Sequence, residues 1–382
     1  MPKTRLFSTA LFFWAIALFA SLTFAVVPTP PKLAAESYIL TDFHSGTVLA
    51  EQNADEKLPP ASLTKIMTVY VVFKELKQGN LKLDELVTVS EKAWRAPGSR
   101  MFIEVNKQVP VEDLLKGVII QSGNDASIAL AEHIAGDEST FAELMNHHAK
   151  VLGLTNTNYV NSTGLPDENH YTTAKDLARL TRALIAEFPE YYGWFSIKEF
   201  TYNGITQKNR NLLLWRDPTV DGVKTGHTEE AGYCLVASAK RDDMRLISAV
   251  MRTASENARA SASQALLNYG FRFFTTQKVH DNGKPLTEVR VYKGKTETLP
   301  LGVTEPVYVT LPKGQEKNLV TELVVEPWPS APVEKGQNLG KVILKVEDKV
   351  IAERPLIALE SIEEGGLIRQ WMDEAWLMIK QW

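Results

Sequence analysis

From Ala35 to about Tyr269 the chain alternates short apolar runs of period two with longer runs of helical period. "ESYILTDFHSGTVLAEQNADEK" has two apolar stretches around His44-Ser45-Gly46, which predicts a hairpin. "LTKIMTVYVVFKEL" is apolar on most faces, so its helix is central and buried. Helical spacing also marks "VEDLLKGVIIQSG", "DASIALAEHIAG", "FAELMNHHAKVLG" and "TAKDLARLTRALIAEF". "GYCLVASAKRDDMRLISAVMR" predicts two strands joined at Lys240-Arg241-Asp242-Asp243, and "NARASASQALLNYGFRFF" closes the unit with a helix. The expected class is mixed α/β, with strands at both ends of the unit.

After about His280 the pattern changes. "TEVRVYKGKTETLPLGV", "PVYVTLP", "LVTELVVEP" and "KVILKVEDKVIAERPLIAL" alternate apolar and polar positions between Gly and Pro breaks, which predicts a small all-β domain over 281–361. The tail, 362–382, returns to helical period. Leu367, Ile368, Trp371, Met372, Ala375, Trp376, Met378, Ile379 and Trp382 share one wide face, opposite Arg369, Gln370, Asp373, Glu374, Lys380 and Gln381. Three tryptophans on the apolar side suit a bilayer interface, so the helix is expected to anchor the protein peripherally at a membrane surface. Its acids and bases balance, so adhesion would be hydrophobic. The competing expectation is a helix docked on the β-domain.

The N-terminus adds a leader. Lys3 and Arg5, an apolar run from about Leu11 to Ala20 and small residues at Thr23 and Ala25 read as a secretory signal peptide over 1–25, against the alternative of an uncleaved anchor. The first 25 residues hold two basic and no acidic residues, so the mature chain carries 40 Lys and Arg against 46 Asp and Glu, a net charge of −6. An acidic balance excludes nucleic acid as an expected partner. The single Cys234 permits no internal disulfide in an exported protein, and its place in "GYCLVASA" marks it as a small buried hydrophobe. At 382 residues the chain is expected to hold a catalytic domain over 26–280 and the β-domain behind it.

Candidate chemistry begins at "PASLTKIMT". Pro59-Pro60 imply a helix starting at about Ser62, which puts Lys65 one turn on and on the same face. A serine hydroxyl becomes a nucleophile when a base takes its proton, and a lysine held neutral by burial or a second cation is such a base. Sixty residues on, "QSGNDA" places Ser122 and Asn124 on a Gly turn between two predicted helices, a hydroxyl to relay a proton and an amide to hold a carbonyl. In "DGVKTGHT", Lys224-Thr225-Gly226 enter the strand of Cys234; Lys224 would be the second cation, and Gly226 leaves room for a ligand backbone. His147-His148 lacks the spacing of a zinc site and reads as a solvated helix face. Neither a metal nor another cofactor is expected.

The three motifs in this order resemble the active-site serine enzymes that recognise penicillin, with S-x-x-K, S-x-N and K-T-G. More closely, the chain resembles the low-molecular-mass penicillin-binding proteins that are D-alanyl-D-alanine carboxypeptidases, of class-A type. The likeness runs through "YILTDFHSGTVL", "GLPDENHYTTAKDLA", "NGITQKNRNLLLW" and "VDGVKTGHTEEAGYCLVASA", and covers the β-domain and tail. It implies a β-lactamase/transpeptidase-like fold, a peptidoglycan stem pentapeptide as substrate, β-lactams as covalent inhibitors, and a periplasmic location at the inner membrane. It implies Ser62 as acylated nucleophile, Lys65 as its base, Ser122 and Lys224 as proton carriers to the leaving amine, and Asn124 as orienting the peptide. The backbone amides of Ser62 and His227 would hold the oxyanion. Thr225 and Arg259 would meet the terminal carboxylate, with nearby Arg252 left as an alternative. The peptide would add along the Lys224 strand. Arg210, in "NRN", reads as structural or as supporting the site from behind the residues that touch the substrate.

A β-lactamase shares these motifs, but its deacylating E-x-x-L-N element is missing from "PDENHYTTA", where Glu168 is followed by Asn169, His170, Tyr171 and Thr172. Crosslink-cleaving endopeptidases typically lack the β-domain. An idle wall-binding scaffold is disfavoured because every motif residue is intact.

Overall fold

The computed structural model describes residues 27–380. The expected signal peptide, 1–25, lies outside the described residues, as do Gln381 and Trp382.

A five-stranded antiparallel sheet organises the larger unit. Its order is Val48–Gln52, Ser37–Asp42, Met244–Thr253, Gly232–Arg241, Val220–Thr228. The hairpin expected around His44-Ser45-Gly46 supplies two neighbouring strands, and the two strands joined at the Lys240–Asp243 turn lie at the centre. Period-two alternation splits the sheet between two cores, because successive side chains point to opposite faces. Ile247, Ala249 and Met251 face the first core with the helices Lys65–Gln78, Asn124–Ala135 and Ala174–Glu187. Leu246 and Val250 face the second, covered by Leu266, Leu267 and Phe271 of the helix Glu256–Phe273. The Lys65 helix is the central one: every residue from Lys65 to Phe73 is buried.

Two local features differ from the periodicity. "VEDLLKGVIIQSG" is an α-helix only over Val111–Lys116; it then widens into a π-turn, Gly117–Gln121. Lys224 lies on its own strand, Val220–Thr228, which turns back at Glu229–Ala231 into the strand of Cys234.

The C-terminal part is all β, as the alternation predicts. One sheet has the order Thr287–Arg290, Thr298–Gly302, Lys349–Ala358, Asn338–Val346, Leu319–Val325. The strand Phe274–His280 pairs with Val307–Pro312, so pairing with β-domain strands begins a few residues before 281. The two parts meet at a polar junction. Buried Asp42 accepts from Thr276 Oγ1 at 2.7 Å and from Ser45 Oγ at 3.0 Å; Thr310 Oγ1 lies 2.8 and 2.6 Å from the same two hydroxyls. His44 stacks on Tyr308.

The tail forms the helix Leu367–Lys380, docked by its polar side. Asp373 is buried, accepts from Lys293 N at 2.6 Å and pairs with Arg290 at 3.4 Å, and Trp376 stacks on Tyr292. Trp376 thus leaves the outward face predicted for it. Leu367, Ile368, Trp371, Met372, Met378 and Ile379 remain 60 to 81% exposed. Among the described residues, no helix is long and apolar enough to cross a membrane.

Candidate active site

Ser62 stands in a 3-10 turn, Ala61–Thr64, one turn ahead of the α-helix that begins at Lys65. The prolines do start the helical segment, but in this tighter form. Three constraints hold the turn. Ala61 has φ +47°, Gly164 (φ +82°) passes so close that a Cβ there would lie 1.8 Å from Ala61 O, and a Cβ on Gly226 would lie 2.8 Å from Pro60 O. The space beside Gly226 is therefore taken by the Ser62 turn rather than kept for a ligand backbone.

Lys65 Nζ lies 3.1 Å from Ser62 Oγ, 2.7 Å from Asn124 Oδ1 and 2.6 Å from Thr163 O. The amide and carbonyl oxygens can only accept. A neutral amine gives its two N–H groups to them and turns its lone pair to the Ser62 hydroxyl. Burial supports that protonation state: Lys65 is 1% exposed, and desolvation, helped by the Arg210 charge, pulls its pKa down to about 7. Asp125 and Glu138 act in the opposite sense. Asn124 Nδ2 donates to Pro97 O at 2.6 Å, so both ends of this amide are engaged within the protein.

Ser122 ends the π-turn with φ +61°, and Gly123 N reaches back to Gly117 O at 3.0 Å. The wider turn aims Ser122 across the cleft, where Lys224 Nζ donates to its Oγ at 2.9 Å. Lys224 also donates to Thr225 O at 3.2 Å. It too is buried, and desolvation with Lys65, Arg210 and Arg259 nearby lowers its pKa well below the ordinary value. Asp125 ties down the adjoining loop by accepting from the amides of Met101, Phe102 and Ile103 at 2.9, 2.8 and 3.3 Å.

The strand Val220–Thr228 is the sheet edge, and it brings Thr225, Gly226 and His227 to the cleft. His227 stacks on Tyr233, 3.9 Å between ring centroids. Arg259 lines the cleft and donates to Gly226 O at 3.1 Å. Arg252 turns away, to Glu36 at 2.8 Å and Glu230 O at 3.2 Å. The cleft encloses about 280 Å³ and joins Ser62, Ser122, Thr225, Arg210, Glu256 and Arg259.

Sequence reasoning gave Arg210 a structural or supporting place, not one in the cleft lining, and missed Glu256. Arg210 donates to Ser99 Oγ at 2.7 Å on the opposite wall and is the leading charge acting on Lys65. Nothing in "NRN" signals this, because the cleft is assembled from segments far apart in the chain. For Glu256, the i,i+3 spacing to Arg259 was the available signal. Of the paired histidines, His147 is exposed, while His148 is half-buried beside Tyr70. Among the described residues, no three His, Cys, Asp or Glu side chains cluster as metal ligands.

Residues 24–255 match the family model of D-alanyl-D-alanine carboxypeptidase, peptidase family S11, which replaces the class-A designation. Residues 274–364 match that of the C-terminal domain of penicillin-binding protein 5. D-alanyl-D-alanine carboxypeptidase DacC of Escherichia coli (strain K12) is 47% identical over 375 residues, covering 96% of this chain and 94% of that protein. The crystal structure of penicillin-binding protein 5 from Haemophilus influenzae superposes with a TM-score of 0.85 at 43% identity, covering 88% of this chain and all of that one. Penicillin-binding protein D2 of Listeria monocytogenes, solved in its ampicillin-bound form, matches 63% of this chain and all of that one at 32% identity and a TM-score of 0.59. The chain belongs to the D-alanyl-D-alanine carboxypeptidase family of serine peptidases, with the C-terminal domain of penicillin-binding protein 5 following its catalytic part.

Proposed function

We propose that the chain works as a serine-type D-Ala-D-Ala carboxypeptidase through a Ser62 acyl-enzyme, trimming the terminal D-alanine from peptidoglycan stem pentapeptides. The carrying observation is the contact between Lys65 Nζ and Ser62 Oγ at 3.1 Å, with the amine's pKa drawn down to about 7. The Ser62 proton passes to Lys65 as Oγ attacks the penultimate D-Ala carbonyl. The backbone amides of Ser62 and His227 hold the tetrahedral oxyanion. Ser122 and Lys224 relay the proton held at Lys65 to the departing amine as the C–N bond breaks, which leaves Lys65 neutral again. Water, deprotonated at Lys65, then opens the ester and restores Ser62. The peptide lies along the open edge strand, as Lys224, Thr225 and Gly226 already sit there. Thr225 and Arg259 receive the terminal carboxylate; the engaged amide of Asn124 fits a role in orienting Lys65 as well as the peptide. A β-lactam enters by the same attack and leaves an ester on Ser62.

The exported chain divides into a leader (1–25), a catalytic domain (26–280), a β-domain (281–361) that lifts the cleft from the membrane, and an anchoring helix (362–382). The exposed apolar side of that helix supports adhesion to the periplasmic face of the inner membrane. Arg369 of the helix and the cations beneath it are already paired, Arg369 with Glu297, Arg290 with Asp373 and Lys293 with Glu374, while Lys380 Nζ lies over the Trp376 ring. Attachment therefore depends on buried apolar area more than on anionic lipid.

The test is labelled penicillin followed by a peptide ending in D-Ala-D-Ala. A covalent adduct that disappears in Ser62→Ala, with free D-Ala released by the wild type, is the expected result. An adduct that survives Ser62→Ala sinks the mechanism.

A further inference from the structure

The carboxylate subsite contains a carboxylate of its own. Glu256 opens the helix Glu256–Phe273, lines the same cleft as Ser62 and Ser122, and stands one turn before Arg259. Its Oε1 lies 3.5 Å from Arg259 Nη2, while Arg259 Nη1 is spent on Gly226 O at 3.1 Å and its guanidinium lies over the Tyr233 ring, 5.5 Å from the centroid. Only 2% of the Arg259 side chain is exposed, against 57% of Glu256. A substrate carboxylate therefore meets an arginine whose outward nitrogen already faces an anion.

We infer that Glu256 is a specificity-determining residue that occupies the outward side of Arg259 in the free enzyme and is displaced by the substrate's terminal carboxylate. This rests on the reading of Arg259 given above. The displacement is cheap, because Glu256 is more than half exposed and swings into water by rotating its own side chain. It is also discriminating. A ligand lacking a carboxylate leaves Glu256 where it is, and one with a second acidic group near the mouth meets its repulsion. Opposite stand Arg210, which holds Ser99, and the buried Lys65 and Lys224, so Glu256 is the acidic residue among those lining this cationic cleft.

The test uses the full mature chain with Glu256→Gln, which keeps the side chain's shape and removes its charge. Steady-state kcat/KM is measured for a D-Ala-D-Ala peptide and for the same peptide with its terminal carboxylate amidated, alongside Arg259→Ala. An exposed ion pair of this kind corresponds to roughly a two- to fivefold effect. The expectation is a two- to fivefold rise in kcat/KM for the free acid that shrinks in high salt, no rise for the amide, and the same rise in the rate of acylation by penicillin. An unchanged or lowered kcat/KM for the acid in Glu256→Gln, while Arg259→Ala strongly impairs it, overturns the inference alone. Equal rises for acid and amide overturn it as well. If Arg259→Ala leaves the acid substrate unaffected, the reading of the subsite fails first, and the inference fails with it. Coincident thermal unfolding of Glu256→Gln and wild type confirms that the folded enzyme is being compared.

Discussion

A buried amine with its pKa near 7 is a base at neutral pH and an acid one unit lower, so in the proposed mechanism the proton on Lys65 sets the acid limb of activity. Protonated Lys65 has no lone pair for Ser62, and acylation should therefore fall as pH drops through about 7. Removing the Arg210 charge takes away the largest charge repulsion on that proton. In Arg210→Ala the limb should move up by about half to one pH unit, so that activity lost at pH 7 returns at higher pH. Penicillin acylation rates measured across pH decide this; an unmoved limb would mean that Arg210 only holds Ser99. Burial of Lys65 was legible from the apolar run around it, and so was the need for a second cation. That Arg210 is the cation acting on Lys65 was not, since a charge in a short loop has no periodicity to betray where it points.

At the scale of elements, the site is built where chain segments press together, and these contacts escape any pattern of hydrophobic residues. Gly226 reads in sequence as an opening for ligand, whereas its Cβ position abuts Pro60 O and the Leu63 side chain. The π-turn before Ser122 is likewise invisible, because adding one residue to a turn leaves the apolar spacing of Leu114, Leu115, Val118 and Ile119 intact. Long periodic helices and alternating strands, by contrast, emerge where the spacing puts them. One element carries a testable pH effect. The segment 161–172 that accepts from Lys65 through Thr163 O is tied to the nucleophile's turn by His170, whose Nε2 lies 2.8 Å from Thr64 Oγ1. Val160 N donates to Nδ1 at 3.2 Å, which fixes the neutral tautomer with its proton on Nε2. Burial, opposed by Asp167, lowers the His170 pKa from 6.5 to about 4. Between those values the unfolded chain binds the extra proton, so stability rises with pH there and is lost as pH falls towards 4. The loss attributable to this residue is up to about 3 kcal/mol. Urea unfolding at pH 4 and pH 7 should show a smaller difference in His170→Gln than in the wild type; equal differences would remove His170 as the cause.

At the scale of the whole molecule, a polar junction and a polar-side-down helix govern how the parts are presented. The amphipathic tail was legible, but not which side docks: Asp373, counted among the solvent-facing positions, is buried against Lys293, and Trp376 leaves the outward row to stack on Tyr292. Replacing Trp371 by Glu should release the protein from vesicles of neutral lipid, because burying each large apolar side chain is worth about 1.5–3 kcal/mol. Exchanging neutral for anionic lipid should change wild-type binding little; strong dependence on lipid charge in co-sedimentation would contradict the hydrophobic mode of attachment. A helix fixed to its domain by a buried carboxylate and a stacked indole, rather than by a floppy tether, has a further consequence. Under the proposed attachment, with that helix in the bilayer surface, the catalytic cleft would keep a set orientation to the membrane and the enzyme's search for stem peptides would become two-dimensional. Its effective concentration is then a number per unit area of membrane, and turnover on a wall layer depends on lateral diffusion and reach rather than on the volume of the compartment.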